Sequence, residues 1–114
     1  MKHPKHGEIW LVDFNPARGS EQSGQRPAVI IQNDTGNRVA DTTIIAAIST
    51  NLRPNPTNTL IKPTRESGLD QDAMVKTSQL LTVSKDRLIK HLGKIDKQTA
   101  DALKQALKKS LALD

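Results

Sequence analysis

The order of strand-like and helix-like stretches is the feature that most limits the fold. Most of the chain before residue 96 consists of short runs rich in β-branched residues, separated by clusters of Asn, Asp, Gly and Pro. A clear helical period appears only at the end, where apolar side chains recur at Ala100, Leu103, Leu107 and Leu111. Short strands followed by one terminal helix predict a mainly β domain, a small β-barrel with the helix packed on it.

The individual elements can be assigned from the same pattern. A turn cluster is expected at Asn33–Asn37, and one helical turn is expected at Ser84–Arg87. Leu88–Ile95 is ambiguous, although its near-alternation favours a strand. The final helix should start with Asp96 or Thr99 as its N-cap. The expected strands are Ile9–Phe14, Pro27–Gln32, Thr42–Ser49, Thr59–Lys62 and Ala73–Thr77, the last extended or followed by Gln79–Val83.

Length and composition bound the class of protein. The 114 residues suffice for a single domain with a modest core, spanning residues 1–114. The absence of cysteine excludes disulfides and thiol catalysis and is compatible with a reducing cytoplasm, where we expect the protein. The sequence has no apolar run near the roughly 20 residues of a membrane span. Met1–His6 has no apolar region behind its charges, so it does not resemble a signal peptide.

The net charge of +5 suggests a polyanionic partner, but it equally suits a small protein that must stay soluble. Residues 85–114 hold eight Lys/Arg against four Asp, which is typical of a solvated helical face. The segment Asn15–Arg26 nets only +1. The excess charge is therefore not concentrated where the chemistry is expected.

Asn15–Arg26 is a polar segment of twelve residues between two predicted strands. Hairpin loops usually have about two to five residues, so a longer one is more often functional. Its last residue, Arg26, precedes Pro27, which disfavours the helical region and holds the arginine extended. A planar guanidinium can bind two phosphate oxygens and stabilise charge on a pentacoordinate phosphorus. The alternative is an ion pair between Arg26 and Glu21.

Other side chains carry weaker signals. Ser49 and Thr50 end a predicted strand and could donate to a phosphate oxygen, although such hydroxyls more often bond to local backbone. Glu21 could be a general base toward a sugar hydroxyl, or it could be solvated or paired.

Histidine and metal chemistry are not favoured. His3 and His6 lie at a terminus expected to be disordered, and His91 lies in an apolar stretch that suggests a structural role. Asp70-Gln71-Asp72 could bind a hard cation, but two aspartates in a turn are usually solvated, so no metal is expected.

Several stretches of the sequence together resemble one known family. Gly7–Phe14 is followed by Gly19-Ser20-Glu21-Gln22-x-Gly24-x-Arg26-Pro27 and then by Ala28–Asp34. Together with Ala46–Ser49, Gln79–Val83 and the C-terminal Ser110–Leu113, this pattern resembles the MazF/PemK family of toxin endoribonucleases over nearly the whole chain. The Gly-Ser-Glu-Gln…Gly-x-Arg-Pro element is the most specific part of the match.

The resemblance implies a PemK/CcdB-type, SH3-like β-barrel that forms a homodimer. It implies cleavage of single-stranded RNA, chiefly mRNA, at short motifs without metal or other cofactor, which arrests translation and growth. The ribose 2′-hydroxyl attacks phosphorus and leaves a 2′,3′-cyclic phosphate and a 5′-hydroxyl. A cognate antitoxin of the MazE/PemI type, often acidic, competes with RNA, and DNA is bound only through the antitoxin complex. No membrane partner is implied.

The same resemblance assigns residues. The family's catalytic arginine falls on Arg26, and its catalytic threonine falls on Ser49, where serine keeps the hydroxyl but loses the methyl that restricts the rotamer. The signature glutamate falls on Glu21. The implied RNA-binding residues are Ser20, Gln22, Gln25, Asn33, Thr50 and Gln79.

Physical chemistry refines these assignments. An arginine side chain stays protonated near neutral pH, so we assign Arg26 electrostatic stabilisation before proton transfer. Trp10 and Phe14 are the only aromatic residues, so hydrogen bonds rather than base stacking should supply specificity. Two alternatives stay open: a gyrase-poison-like binding toxin of the same fold, which would not need Arg26 and a hydroxyl at 49, and a decayed relative, suggested only by Ser49.

Overall fold

The computed structural model describes residues 2–14 and 24–113, and this part of the chain forms a mainly β fold with a C-terminal helix. The expectation from the strand and helix pattern is confirmed. The elements are β1 Glu8–Asp13, β2 Gln25–Ile30, α1 Asp34–Val39, β3 Thr42–Ser49, β4 Asn58–Ile61, β5 Ala73–Ser84, a 3-10 turn at Lys85–Arg87, β6 Leu88–Lys94 and α2 Lys97–Ser110.

The strands form one antiparallel sheet in the order β4-β5-β3-β2-β1-β6. In the part of the chain described, β4 and β6 are edges that do not pair with each other, so the SH3-like barrel is open. The turn that follows β4 spans the gap, because the Lys94 amide on β6 donates to the Glu66 carbonyl at 2.8 Å. The open side of the barrel is thus bridged by a turn, without a strand pair.

Aliphatic side chains on both faces of the sheet form the core, as the scarcity of aromatic residues requires. One cluster lies under α2, which contributes Leu103, and it includes Ile9, Val29 and Val75 from three strands. A second cluster contains both aromatic residues together with apolar side chains of β1, β2, β3 and β6: Trp10, Val12, Phe14, Ala28, Ile30, Ile45 and Leu88. Burial of these side chains from water is the main source of stability.

The expected turn at Asn33–Asn37 is instead the start of helix α1, and that prediction was wrong. Asn33 is the N-cap, and its Oδ1 accepts from the Gly36 amide at 2.8 Å. Asn37 is 4 % exposed, and its Oδ1 accepts from the Thr43 hydroxyl at 2.7 Å and from Gln32 Nε2 at 3.1 Å. These side-chain bonds, made to residues just before and just after the segment, fix it as a helix, which turn propensity does not reveal.

Two predicted strands, Ala73–Thr77 and Gln79–Val83, are one twelve-residue strand, β5. The register with β3 shifts in its middle, because Ala46 pairs with Leu80 while Ala47 pairs with Lys76. This bulge explains why the alternation in the sequence breaks at that point.

The N-terminal residues are also more ordered than expected. The His6 amide donates to Asp34 Oδ1 at 2.7 Å, and the Lys5 amide donates to Glu8 Oε1 at 2.7 Å. The expected disorder at His3 and His6 was therefore wrong, because α1 supplies an anchor for this segment. His91 is half-exposed rather than enclosed in an apolar stretch, and its Nε2 lies 3.3 Å from Glu8 Oε2.

Helix α2 follows the predicted period. Asp96 is its N-cap and accepts from the Thr99 amide at 2.7 Å, and Leu103 and Ala106 are buried. The apolar stripe ends earlier than expected, because Leu111 is the C-cap and is 50 % exposed. Of the helices within residues 2–14 and 24–113, none is long and apolar enough to span a bilayer.

Candidate functional site

The register between β2 and β3 brings Arg26 opposite Ser49. The paired positions are Ala28 with Ala47, Val29 with Ala46 and Ile30 with Ile45. Continuing this antiparallel register by two residues sets Arg26 against Ser49, where β2 begins and β3 ends. The two side chains that the sequence singled out for chemistry therefore meet at one end of the sheet.

Arg26 and Ser49 line the same cavity, of about 340 Å³. Its polar side chains can hold an anionic group, and its apolar side chains limit the access of water to that group. Most of its lining comes from two parts of the fold: the ends of β2 and β3, and the turn between β4 and β5. The full lining is Arg26, Pro27, Ile48, Ser49, Thr50, Gly68, Leu69, Asp70, Gln71, Ala73 and Leu92.

Arg26 is exposed and held by strand pairing. It pairs with Val12 on β1, and Pro27 pairs with Leu11. The extended backbone expected before a proline is present, because both residues belong to β2. An arginine fixed in this way presents a permanent positive charge to the cavity.

The Ser49 hydroxyl is oriented by a local backbone contact. Its Oγ accepts a hydrogen bond from the Asn51 amide at 3.1 Å. This is the local bonding that the sequence suggested as the alternative to a functional role. The two are compatible, because accepting that bond leaves the hydroxyl hydrogen to donate to a ligand in the cavity. Thr50 is exposed at the rim of the same cavity.

The remaining predicted site residues differ in whether the structure describes them and in where they lie relative to the cavity. Ser20, Glu21 and Gln22 lie outside the described residues. Gln25 is exposed beside Arg26 and pairs with Asp13, but alternation along the strand directs it to the opposite face.

Asn33 and Gln79 lie away from the cavity. Asn33 follows the far end of β2, and that end, Ile30, lies about 13 Å from Arg26 by the rise of four strand residues. It caps α1 through its Oδ1, and its Nδ2 hydrogens are not used in that bond. Gln79 is half-buried near the bulge of β5. Any contact of these two side chains with a ligand in the cavity requires an extended ligand.

Two residues of the cavity were not predicted for it. Asp70 and Gln71 belong to a triplet that the sequence suggested only as a weak metal site, yet they line the same cavity as Arg26 and Ser49. The third member, Asp72, is turned away and pairs with Lys62 at 3.4 Å. Within residues 2–14 and 24–113, no three His, Cys, Asp or Glu side chains are grouped for a metal ion. The placement of Asp70 and Gln71 depends on the pairing of β4 with β5, and no local motif signals it.

A larger cleft, of about 580 Å³, separates β4 from α2. It is polar and basic, with Lys62, Lys94 and Lys109 among its lining residues, but it contains neither Arg26 nor Ser49. The combination of a guanidinium with a fixed hydroxyl favours the smaller cavity as the functional site.

Comparison with known proteins identifies the family of the chain. The family model of the PemK-like, MazF-like toxin of type II toxin–antitoxin systems matches residues 5–111. The chain is 38% identical over 111 residues to the endoribonuclease EndoA of Bacillus subtilis, covering 96% of this chain and 95% of that protein. It is also 38% identical to the endoribonuclease MazF of Staphylococcus saprophyticus, covering 96% and 92% of the two chains.

Solved structures show the same fold. A mycobacterial endoribonuclease in complex with its cognate antitoxin superposes with a TM-score of 0.82 at 24% identity, covering 97% of each chain. MazF of Deinococcus radiodurans gives a TM-score of 0.82 at 18% identity, covering 98% of this chain and 99% of that one. The fold and the cavity define a small β-barrel toxin. The chain belongs to the PemK-like, MazF-like toxin family of type II toxin–antitoxin systems.

Proposed function

We propose that this toxin is a metal-independent, sequence-specific endoribonuclease that cuts single-stranded RNA, chiefly mRNA, in the cavity shared by Arg26 and Ser49. The observation that carries the proposal is their opposition at the ends of β2 and β3 in one cavity. The chain is an endoribonuclease of the MazF type, in keeping with relatives named as endoribonucleases at 38% identity over nearly its whole length.

The chemistry follows from what these two side chains can do. The ribose 2′-oxygen attacks the adjacent phosphorus, the bond from phosphorus to the 5′-oxygen breaks, and the products carry a 2′,3′-cyclic phosphate and a 5′-hydroxyl. Negative charge grows on the non-bridging oxygens during this step. Arg26 stabilises that charge with its planar guanidinium, and the Ser49 hydroxyl donates a further hydrogen bond.

Proton transfer needs a different group. The 2′-hydroxyl must lose a proton and the leaving 5′-oxygen must gain one. An arginine side chain remains protonated near neutral pH and is a poor proton acceptor. Glu21 is the proposed base, on the ground of the signature segment that contains it.

RNA is held mainly through hydrogen bonds to amide and hydroxyl side chains, because the aromatic residues Trp10 and Phe14 are buried in the core. Thr50 contacts the nucleotide in the cavity. Asn33 and Gln79 lie farther along the sheet and would contact nucleotides beyond the scissile bond. The other proposed contacts are made by Ser20, Gln22 and Gln25.

Partners follow from the family. A related toxin has been solved with its cognate antitoxin, so we assign this chain an antitoxin partner whose acidic segment suits a net charge of +5. A homodimer acting in the cytoplasm and arresting translation and growth completes the proposal, with DNA contacted only through the antitoxin complex.

Incubation of the purified protein with a long single-stranded RNA in EDTA tests the activity. The wild-type protein should cut the RNA, and Arg26→Ala should cut it about 10³-fold more slowly. Arg38→Ala is the matched control, because Arg38 is an exposed arginine on α1 outside the cavity. Intact RNA with the wild-type protein, or equal cleavage by Arg26→Ala, would contradict the proposal. DNA damage on expression with RNA untouched would support the gyrase-poison alternative instead.

A further inference from the structure

Part of the lining of the Arg26 cavity comes from the turn at residues 64–71, here called the wall turn. It connects β4 to β5 and contributes Gly68, Leu69, Asp70 and Gln71 to the cavity. Asp70 and Gln71 are exposed there, so their side chains are available to a ligand. The wall turn therefore offers a carboxylate and an amide in the same cavity as the guanidinium.

The wall turn is held rigidly from within. Ser67 is 3 % exposed, and its Oγ accepts from the amides of Thr64 at 3.0 Å and Leu69 at 3.3 Å. The same hydroxyl lies 3.0 Å from the Lys62 carbonyl, to which it donates, and the Thr64 hydroxyl oxygen accepts from the Ser67 amide at 3.0 Å. A buried hydroxyl with its bonding capacity filled fixes the turn without using the residues at its end.

Two glycines dock the wall turn on β6. A Cβ atom at Gly68, whose φ is +71°, would overlap the Leu92 carbonyl, and a Cβ atom at Gly93 would overlap the carbonyls of Glu66 and Ser67. The backbones touch because neither residue has a side chain. Exposed polar side chains on a turn fixed to this extent lose little freedom when they bind, which favours recognition.

Asp70 and Asp72, the two aspartates at the end of this connection, have different surroundings. Asp72 pairs with Lys62 and does not line the cavity. Asp70 lines the cavity and, among the residues described, its side chain makes no hydrogen bond or ion pair. A carboxylate left available in a cavity that must also admit a phosphodiester repels the phosphate, so the backbone of the RNA must lie toward Arg26 and a base toward Asp70.

We propose that Asp70 and Gln71 are specificity-determining residues that decide which bases are accepted at one position beside the scissile phosphate. This inference rests on the proposed ribonuclease function. A carboxylate only accepts hydrogen bonds, so it suits the exocyclic amine of adenine, cytosine or guanine. Uracil has no such amine, and its one edge donor, N3–H, lies between two carbonyl oxygens that the carboxylate would repel. The Gln71 amide both donates and accepts and completes the contact with the selected base.

Mapping of cleavage ends on a diverse single-stranded RNA pool tests the inference, with Asp70→Asn and Gln71→Ala compared with the wild-type protein. Asp72→Asn is the matched control, since it removes the same charge two residues away and outside the cavity. Wild-type sites should be depleted of uracil at one position. Asp70→Asn should raise relative cleavage at uracil there by about tenfold, since an amide can also donate, and Gln71→Ala should weaken selection at the same position. The control should keep the wild-type motif.

The outcomes separate this inference from the proposed function. Cleavage by Asp70→Asn with the wild-type motif would overturn the specificity role while leaving the ribonuclease assignment intact. Loss of all cleavage by Asp70→Asn with an unchanged unfolding temperature would also overturn it, because Asp70 would then act in the chemistry rather than in selection. Absence of cleavage by the wild-type protein would overturn both proposals.

Discussion

Arg26 on β2 lies opposite Ser49 on β3 when the register of these two strands is continued two residues past their last mutual pair, Ala28 with Ala47. Their backbones belong to the sheet, while their side chains line a cavity that the wall turn also lines. A cation and a hydroxyl donor are thus positioned by neighbouring strands rather than by flexible segments. This relationship underlies the mechanism proposed for the toxin.

The shape of the Arg26 guanidinium should matter as much as its charge. Arg26→Ala is expected to lower the cleavage rate by about 10³-fold, because it removes the main stabilisation of charge at phosphorus. Arg26→Lys keeps the charge but loses the planar pair of donors, and should retain no more than about a tenth of the rate. Initial rates on a defined RNA in EDTA measure both effects. A lysine variant as fast as wild type would contradict bidentate binding.

The hydroxyl at residue 49 should be required, and its rotamer should affect the rate. Ser49→Ala is expected to slow cleavage by about 10²-fold, since it removes one donor. Ser49→Thr should raise the rate a few-fold, because β-branching reduces the number of side-chain rotamers. Ser78→Ala, an exposed serine on β5 outside the cavity, is the control and should have no effect. An alanine variant with the full rate would remove Ser49 from the mechanism.

The contact between the wall turn and β6 should be sensitive to a single methyl group. Gly93→Ala is expected to destabilise the fold by about 3 kcal/mol, because the new methyl overlaps the Glu66 and Ser67 carbonyls. Gly24→Ala is the comparison, since its φ is +79° but an added Cβ meets no described atom within 4 Å. It should cost only about 1 kcal/mol of backbone strain. Urea denaturation measures both, and equal losses would contradict the close approach.

The anchor between the N-terminal segment and α1 should make stability depend on pH in acid. The bond that the His6 amide donates, with a smaller contribution from Asn37, lowers the pKa of Asp34 below its ordinary value of 3.8. A carboxyl with a lowered pKa in the folded state stabilises the protein above the unfolded-state value, and that contribution is lost as pH falls through the folded-state value.

Asp34→Asn should therefore be less stable than wild type at pH 6, and the difference should shrink below about pH 4 as wild type loses the contribution. Denaturant unfolding at both pH values measures the change. A difference that grows on acidification would reverse the sign and contradict the anchor. The hydrogen bond from the Thr99 amide at the start of α2 likewise lowers the pKa of Asp96. Its effect on the pH dependence of stability has the same sign and is common to wild type and Asp34→Asn.

Most of the architecture could be predicted from the sequence, because hydrophobic periodicity and turn residues are local signals. β3 was predicted with its observed bounds, and the capping residue Asp96 was one of two expected. Helix α1 was missed because its stability depends on Asn37 bonding to Gln32 and to Thr43. Propensity and hydrophobic period do not report such specific side-chain bonds, although the partners are close in sequence.

The candidate site was only partly visible for the same reason. Arg26 could be found from the family signature, and Ser49 from its place at the end of a predicted strand. That the two lie opposite each other depends on the strand register. Asp70 and Gln71 could not be assigned to the cavity, because their position depends on a turn fixed by Ser67 and by contact with Gly93. The sequence identifies residue types suited to a reaction, while side chains supplied by a distant turn appear only in the folded chain.

A double-mutant cycle of Arg26→Ala and Ser49→Ala tests the central claim most directly. If both side chains act on the same phosphoryl group, the double variant should cut RNA in EDTA at nearly the rate of Arg26→Ala alone, at least about tenfold faster than the product of the two single losses predicts. Losses that multiply independently would contradict the shared site, and the opposition of Arg26 and Ser49 would then carry no catalytic meaning.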